Sequence, residues 1–189
     1  MFDIAVIGAG PAGASAALFT AKAGKKTLVL DSDQSVTKRA WIENHYGASE
    51  ISGPDLVDIG KKQAAKFGAE LVQNKAVNIV KNGDGFKIET EEGRTFEAKY
   101  VIVATGMSVE LAEKIGLKTK DGTEPRIKTV LEVDGSGKTN IAGIWAAGTV
   151  AGVSMHTIIT AGDGAKVAIN LISEINGERY VDHDIMKKA

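Results

Sequence analysis

The 189-residue sequence contains no cysteine, only three prolines and three histidines, and no long apolar run. Without a thiol, these residues form no disulfide, thiolate metal site or iron–sulfur cluster, and they cannot relay electrons through a dithiol. No stretch approaches the roughly 20 apolar residues that a membrane-spanning helix needs. The 23 basic and 24 acidic residues leave a net charge of -1, which excludes a global field attracting nucleic acid or an anionic membrane.

The composition is that of an ordinary folded protein, with 43% hydrophobic and 25% charged residues. A second full nucleotide-binding domain would need roughly 110 further residues, so we expect one domain over residues 1–189. The chain runs almost at once into the strand "FDIAVIGAG", without the basic start and unbroken apolar stretch of a signal peptide. We therefore expect a cytoplasmic protein.

The first half of the chain alternates strand and helix patterns. An apolar strand at 3–7, a glycine turn, an alanine-rich helix and a strand at 26–30 form a βαβ unit. A second helix is predicted over 53–67, because a Gly-Pro pair opens it and a glycine follows it. A strand at 69–72 is expected next.

The second half begins differently. Residues at about 76–98 alternate apolar and polar positions between two glycine-containing turns, which predicts a three-stranded β-meander. Apolar strands then follow at 99–106 and 143–147, with a short helix at 109–115 between them, and a long helix occupies 154–175. Together with the first half, these patterns predict an α/β fold with a central parallel sheet and a β-meander.

A glycine motif stands between the first strand and the first helix. Gly8, Gly10 and Gly13 form G-x-G-x-x-G, and Asp31 lies at the end of the next strand. In this position the glycines allow a tight turn, close approach to a pyrophosphate and close packing of helix on strand. The carboxylate would accept both hydroxyl hydrogens of an adenosine ribose and repel a 2′-phosphate, which favours FAD or NAD over NADP. The alternative is a glycine turn of purely structural use.

Further segments narrow the choice between the two dinucleotides, because an NAD domain would continue with alternating strands and helices. The segments "DIAVIGAGPAGASAA", "IENHYG", "ISGPDLV", "QAAKFGAEL", "VIVATG" and "GIWAAG", followed by "ITAGDGAKVA", cover nearly the whole chain. In that order they resemble the FAD domain of thioredoxin reductases and related flavoproteins with two dinucleotide-binding domains. The resemblance implies FAD and a Rossmann-like, three-layer ββα FAD-binding fold spanning 1–189.

The resemblance also implies a set of residues that contact the cofactor. They are Gly8, Gly10, Pro11, Ala12, Gly13, Asp31, Ser32, Asn44, Ala76, Thr105, Gly106, Gly148, Thr149, His156, Thr157 and Ile158. In this scheme the glycine loop holds the pyrophosphate, Asp31 the adenosine ribose, and the backbone of Ala76 the adenine. Thr105 and Gly106 line the cofactor.

The flavin half of the cofactor would meet the later members of this set. Gly148 and Thr149 would lie at the ribityl chain and pyrophosphate, with Asn44 close to the flavin. The start of the last helix, at His156, would face the pyrimidine edge of the isoalloxazine, where a helix N-terminus favours the anionic reduced ring. Trp41 and Tyr46 could stack on a ring of the cofactor or be ordinary packing anchors.

Three departures from the family limit the function. Thr149 stands where the family has an acid, so the side chain carries no charge. Between Gly106 and the strand at 143–147 no second glycine fingerprint occurs, so the nicotinamide domain is missing. The Cys-x-x-Cys motif is absent as well. This chain therefore cannot pass electrons to thioredoxin by disulfide exchange.

Other polar clusters have simpler interpretations. Asp182-His183-Asp184 is expected to be a solvated tail rather than a metal site, and we predict no bound metal. The pairs Lys25-Lys26 and Lys61-Lys62 are expected to be solvated. No Ser-His-acid arrangement can be assembled around Ser35 or Ser154, so hydrolase chemistry is not supported. No catalytic residue is assigned.

The leading hypothesis is an FAD-dependent oxidoreductase that takes electrons from an external donor and works as a homodimer. The alternative is a non-enzymatic flavin-binding or electron-transfer subunit that requires a separate NAD(P)H-binding partner. A third reading is a biosynthetic protein of the thiazole-synthase or tRNA-modification type using NAD or FAD, although the lack of cysteine disfavours a sulfur-donating thiazole synthase.

Overall fold

The computed structural model describes residues 1–186. The first elements are β1 (Phe2–Ile7), α1 (Pro11–Lys22), β2 (Thr27–Asp31), β3 (Trp41–Ile42), β4 (Ile51–Ser52), α2 (Gly53–Lys66), β5 (Glu70–Gln73), β6 (Ala76–Asn82) and β7 (Gly85–Thr90). They are followed by β8 (Thr95–Val103), α3 (Glu110–Lys114), β9 (Thr119–Asp121), β10 (Thr129–Leu131), β11 (Ile144–Ala146) and α4 (Thr157–Asn176). The βαβ opening, α2 and β5 are confirmed, with boundaries that differ by one or two residues.

A parallel sheet lies at the centre, with the order β5-β2-β1-β8 and β11 beside β8. Successive side chains of a strand point to opposite faces of the sheet. In β1, Ile4 and Val6 join the core beneath α1 and α4, whereas Ala5 and Ile7 join the core that contains Ile88 of the meander. Helices, parallel sheet and meander are therefore three layers, as the ββα prediction requires.

The meander consists of β6, β7 and the first half of β8. The sequence patterns divided the last stretch into a third meander strand and a separate strand at 99–106, and this division is wrong. β8 is continuous: Ala98 pairs antiparallel with Phe86, and from Val101 onward the same edge pairs parallel with β11. Where β8 changes its pairing from β7 to β11, Gly143 packs closely against Phe86, because a Cβ atom on Gly143 would lie 2.9 Å from the Phe86 ring.

Helices α1 and α4 pack against one face of the parallel sheet at very short range. The inner face of α1 consists of small residues, and Gly164 of α4 comes so close that a Cβ atom would lie 2.1 Å from the carbonyl oxygen of Ala12. Such an approach requires a residue without a side chain. The contact brings the first turns of the two helices to the same edge of the sheet.

Helix α4 begins at Thr157, later than the predicted start at 154, and ends at Asn176, one residue beyond the predicted end at 175. His156 is extended (φ -60°, ψ 131°), so the helix cannot include the residues before it. At the other end Gly177 adopts φ +73°, the left-handed conformation in which a glycine stops a helix.

Residues 104–143, which connect β8 to β11, contain α3 and a two-stranded hairpin of β9 and β10. The short helix was predicted, but the hairpin was not, because its strands are three residues long and carry lysine and aspartate. Within this fully described connection there is no second strand–glycine–helix unit. The small sheet of β3 and β4 was not predicted either.

The described segment after α4 is mostly exposed, as the sequence predicted, but ion pairs connect it to α1. The ammonium of Lys22 in α1 lies 2.8 Å from a carboxylate oxygen of Asp182 and 2.6 Å from one of Asp184. These ion pairs fasten the segment to the outer side of α1, and they raise the pKa of Lys22.

Candidate nucleotide-binding cleft

A cleft of about 560 Å³ opens along the carboxyl ends of β1, β2, β8 and β11. These strands are parallel, so the loops that follow them meet at one edge of the sheet, where α/β proteins bind ligands. The residues after β1, β2 and β8 all line the cleft, as do Ala147 and Thr149 after β11. The volume is in the range of about 300–1,000 Å³ that is usual for cofactor sites.

The glycine loop between β1 and α1 forms the floor of this cleft. Gly8 adopts φ +106°, and a Cβ atom there would lie 2.4 Å from the carbonyl oxygen of Ala104 at the end of β8. A Cβ atom on Gly13 would lie 1.9 Å from the carbonyl oxygen of Gly8. Both glycines are therefore required by the fold of the loop itself. Gly10 differs, because its Cβ atom would meet only the side chain of Ser35, at 3.1 Å.

The N-terminus of α1 faces the cleft without a charge or a side chain to satisfy it. Gly10 is the N-cap residue, Pro11 occupies the first turn, and the first turn contains no acidic residue. Within residues 1–186 no side chain caps this end. The first amides of a helix lack partners in the helix and carry its positive dipole end, so this terminus suits a phosphate group.

Asp31 ends β2 on one side of the cleft and is almost fully buried, with 7% of its surface exposed. One carboxylate oxygen accepts a hydrogen bond from the backbone N–H of Asp33 at 2.9 Å, and the other forms an ion pair with Lys61 of α2. Lys61 also lies 3.3 Å from a carboxylate oxygen of Asp33. The expectation that Lys61 is simply solvated is therefore wrong.

The electrostatics of this cluster follow from its pairing. Burial alone would lower the pKa of Lys61, but the hydrogen bonds and charges of Asp31 and Asp33 outweigh it and raise the pKa. Lys38, together with Lys61, holds the pKa of Asp33 below its usual value. The contacts within the cluster therefore favour the charged forms of Lys61 and Asp33.

The start of β6 also contributes to the wall of the cleft. Lys75, Ala76 and Val77 line it, and the pairing of β6 with β7 is irregular between Ala76 and Asn78. The ammonium of Lys114 in α3 donates to the carbonyl oxygen of Val77 at 2.7 Å. This contact fixes the backbone beside the cleft.

A sharp turn after β11 closes the far end. Gly148 adopts φ +81° and donates its backbone N–H to a carboxylate oxygen of Asp163 at 2.8 Å. Asp163 is buried on α4, and its other oxygen lies 2.7 Å from the ammonium of Lys166. The buried Thr149 follows the turn and lines the cleft. One acid of α4 therefore holds the turn that presents Thr149.

Comparison with known proteins agrees with this architecture. The family model described as pyridine nucleotide-disulphide oxidoreductase matches residues 42–165, and a model described as FAD binding domain matches residues 3–41. The chain belongs to the pyridine nucleotide-disulphide oxidoreductase family. The resemblance to thioredoxin reductases is thereby confirmed, and FAD is the cofactor that both matches indicate.

Among curated relatives of this family member, a thioredoxin reductase from Aquifex aeolicus is 43% identical over 118 residues, covering 60% of this chain and 36% of the relative. A thioredoxin reductase from Streptomyces clavuligerus is 36% identical over 129 residues, covering 66% and 39%. The aligned regions thus span little more than a third of the relatives. An atypical thioredoxin reductase structure from Desulfovibrio vulgaris Hildenborough gives a TM-score of 0.82 at 22% identity, covering 94% of this chain and 99% of that one, and shows a shared fold.

The cleft of this family member fits FAD on its own geometry. The N-terminus of α1 is uncapped, and it lies above a loop in which two glycines have no room for a side chain. Together they form a site that suits a pyrophosphate. The buried carboxylate of Asp31 and the backbone at the start of β6 also line the cleft. When bound, FAD supplies the two-electron redox chemistry, and the protein supplies binding and orientation.

Most of the residues expected to contact the cofactor line this cleft. They are Gly8, Gly10, Pro11, Ala12, Asp31, Ser32, Ala76, Thr105, Gly106 and Thr149. The other six do not line it: Gly13, Asn44, Gly148, His156, Thr157 and Ile158. Gly13 and Gly148 shape the two turns of the cleft rather than its surface, as described above.

Two segments meet at the flavin side that the resemblance predicts. The ring nitrogen Nδ1 of His45 lies 2.9 Å from the hydroxyl of Thr157, which joins loop 43–49 to the first turn of α4. Asn44 lies in this loop and is exposed. Trp41 and Tyr46 are 63% and 93% exposed, so neither ring is a packing anchor within this chain.

Sequence reasoning missed several residues that build the site. Lys61, Lys114, Asp163 and Gly164 each support a group at the cleft from another element. A signal existed for two of them, since Asp163 and Gly164 belong to the segment "ITAGDGAKVA" that carried the resemblance. The two lysines had no such signal, because a lysine on a helix is ordinarily solvated.

Two searches covered the described residues. Within residues 1–186, no three histidine or acidic side chains converge in a way that could hold a metal ion. Among the helices of the same residues, none is both long and apolar enough to cross a membrane.

Proposed function

We propose that this chain is an FAD-dependent oxidoreductase that takes electrons from an external donor and passes them to an acceptor without a dithiol of its own. The observation that carries the proposal is the occurrence of a cofactor-sized cleft together with a short connection between β8 and β11. Residues 104–143 hold only α3 and the β9–β10 hairpin, and the sequence contains no cysteine. A nicotinamide domain of roughly 110 residues has no room in this connection.

For the nucleotide half of FAD we propose the roles that the cleft geometry supports. The first amides of α1 donate to the pyrophosphate, and the absence of a side chain on Gly10 allows the phosphates to approach the backbone. Asp31 accepts hydrogen bonds from the adenosine ribose. The backbone at Ala76 and Val77 meets the adenine, held in place by Lys114.

For the flavin half we propose that the first turn of α4 lies beside the isoalloxazine ring. His156, Thr157 and Ile158 would supply this edge, and the positive end of the α4 dipole would favour negative charge on the ring. Thr149, on the turn held by Asp163, would donate a hydrogen bond to the ribityl chain or pyrophosphate. An uncharged residue there replaces the acid of the family, which changes how the ribityl hydroxyls are held.

The electron donor would approach from the side that a nicotinamide domain covers in larger relatives. Met155 and Ile159 are 47% and 45% exposed near the start of α4, and Tyr46 of loop 43–49 is more exposed still. Exposed apolar side chains that are grouped favour contact with another protein surface. We include in the proposal a homodimer that covers part of this surface, to be checked by light scattering of the purified protein.

A second candidate function rests on the same short connection. Without a nicotinamide-binding unit within residues 104–143, the chain would serve as a flavin-binding or electron-transfer subunit that a separate NAD(P)H-binding protein reduces. The two candidates differ in what they require. An oxidoreductase turns over with a small donor and acceptor, whereas a subunit turns over only with its partner.

Anaerobic stopped-flow mixing separates the two functions. The FAD-loaded protein is mixed with NADH, with NADPH and with a cell extract of the same source organism, and bleaching of the flavin absorbance is recorded. Direct reduction by a small donor at a rate matching steady-state turnover supports the oxidoreductase. Reduction only in the presence of extract supports the subunit, and the absence of any flavin binding contradicts both.

A further inference from the structure

An ion pair between the buried Asp31 and the half-buried Lys61 lies at the side of the cleft where the ribose is proposed to bind. Lys61 does not line the cleft, but its ammonium reaches from α2 to Asp31. The side chain of Lys61 is 22% exposed, and that of Asp31 is 10% exposed. Lys62, the next residue of the same helix, is 75% exposed and forms an ion pair with Asp58 one turn away. Of these two adjacent lysines, Lys61 is therefore half-buried and Lys62 is exposed to solvent.

The pair restricts how Asp31 presents its oxygens. One oxygen is oriented by the N–H of Asp33 at 2.9 Å, and the other by the ammonium of Lys61. An ionised carboxylate has about four acceptor positions, so each oxygen keeps one for a hydroxyl in the cleft. A ribose with free 2′- and 3′-hydroxyls matches this pair of acceptors.

The pair also sets the charge of the site. Lys61 cancels the charge of Asp31 locally, yet the carboxylate stands between the ammonium and the cleft. A 2′-phosphate entering the site would meet the carboxylate first. If the carboxylate were replaced by a neutral amide of the same shape, the ammonium would keep only Asp33 as an ion-pair partner, at 3.3 Å, and the same oxygen of Asp33 is also paired with Lys38.

We propose that Lys61 is the positioning residue of the adenosine site, because its ammonium orients the carboxylate of Asp31 toward a free 2′-hydroxyl. The same ammonium could bind a 2′-phosphate, but the carboxylate of Asp31 prevents a 2′-phosphate from reaching it. The inference rests on the proposed FAD-binding function, because it assumes that adenosine binds beside Asp31. It goes further by naming the residue pair that determines which adenosine nucleotide is accepted.

The test uses two probes that differ only in the 2′-phosphate, ADP-ribose and 2′-phospho-ADP-ribose, titrated calorimetrically into the full chain freed of flavin. The wild-type protein should bind ADP-ribose at least about tenfold more tightly. Lys61→Met should weaken ADP-ribose binding about fivefold to tenfold, because one oriented charge-assisted contact is lost. Lys61→Arg should retain most of the affinity, and the matched control Lys62→Met should bind like the wild type.

The masking claim is tested by a double-mutant cycle at the pair. Asp31→Asn should reverse the preference, so that 2′-phospho-ADP-ribose binds more tightly than ADP-ribose. Asp31→Asn combined with Lys61→Met should lose this reversal. Thermal unfolding of each variant establishes that the protein is folded, and a structural role alone would not move the preference between the probes.

The outcomes distinguish this inference from the proposed function. If the wild type binds FAD and ADP-ribose but Lys61→Met binds both probes as the wild type does, the positioning role is wrong. If Asp31→Asn gains no preference for the 2′-phosphate, the masking role is wrong. If the wild-type protein binds neither FAD nor ADP-ribose, the proposed function itself fails.

Discussion

Gly10 offers a way to separate the role of the glycine loop in the fold from its role in binding. Its backbone has φ -68° and ψ -175°, which any residue can adopt, and a Cβ atom would meet only the Oγ atom of Ser35 at 3.1 Å. Because the serine side chain can rotate away, Gly10→Ala should fold. The new methyl group would nevertheless stand in the cleft, between the backbone and an approaching phosphate.

The expected magnitudes are far apart. Alanine at an N-cap is worse than glycine by up to about 1 kcal/mol, which in a chain of this size lowers the melting temperature by about 2–4 °C. Loss of one charge-assisted hydrogen bond to a phosphate costs about 1.5–3 kcal/mol, which corresponds to a Kd increase of about 10- to 150-fold. Gly10→Ala should therefore lose much of its FAD affinity and little of its stability.

The assay is a fluorescence titration with FAD alongside thermal unfolding of the flavin-free protein. Gly13→Ala is the contrasting variant, because its Cβ atom would lie 1.9 Å from the backbone oxygen of Gly8 and cannot be relieved by a side-chain rotation. That variant should be destabilised by about 3 kcal/mol or more. Wild-type affinity for FAD in the folded Gly10→Ala protein would refute the placement of the pyrophosphate at this loop.

Three further predictions concern single contacts. Asp163→Ala should lower the free energy of unfolding by about 1–3 kcal/mol, because the N–H of Gly148 loses its acceptor. Asp163→Asn should lower the free energy of unfolding by less, and thermal unfolding compares the two variants. Thr149→Val should raise the Kd for FAD about fivefold at unchanged stability, as measured by titration. For Asp134, burial opposes ionisation, but backbone hydrogen bonds outweigh this effect and lower the pKa of the carboxyl group. The stability that the ionised Asp134 contributes is therefore present above the pKa of the unfolded chain, and it is lost as the pH falls through the lower pKa of the folded protein. Urea unfolding from pH 6 to about pH 3 should show a smaller loss for Asp134→Asn than for the wild type.

Each of these three has its own contrary result. Equal melting temperatures for Asp163→Ala and the wild type would mean that the Gly148 turn does not depend on the carboxylate. Unchanged FAD affinity in Thr149→Val would place the threonine hydroxyl away from the cofactor. Parallel pH profiles for Asp134→Asn and the wild type would contradict the lowered pKa.

The parallel sheet and the phosphate loop were predictable because each depends on local patterns. About 25 residues contain the pattern of an apolar strand, a glycine turn and an alanine-rich helix. Gly8 and Gly13 are required by the conformation of that turn. The meander was predictable for the same reason, since its turns carry glycine. The continuity of β8 was not, because its exchange of partners from β7 to β11 depends on residues distant in the sequence.

The supporting residues of the site escaped prediction for a different physical reason. Lys61 is distinguished from Lys62 only by the side of α2 that faces Asp31, and that orientation is set by packing of α2 against α1. Asp163 looks like an ordinary helix residue until the turn at Gly148 is brought beneath it. Residues that act on a site from another element become visible only once the tertiary structure is known.

The most direct test of the account is equilibrium binding of FAD to the purified chain. The flavin-free protein is incubated with FAD, freed of excess cofactor by gel filtration, and examined by visible absorbance and by mass spectrometry of the released ligand. The account predicts one FAD per chain and the absorbance of a protein-bound oxidised flavin. A folded protein that retains no FAD under these conditions, while a thioredoxin reductase treated in parallel does, would contradict it.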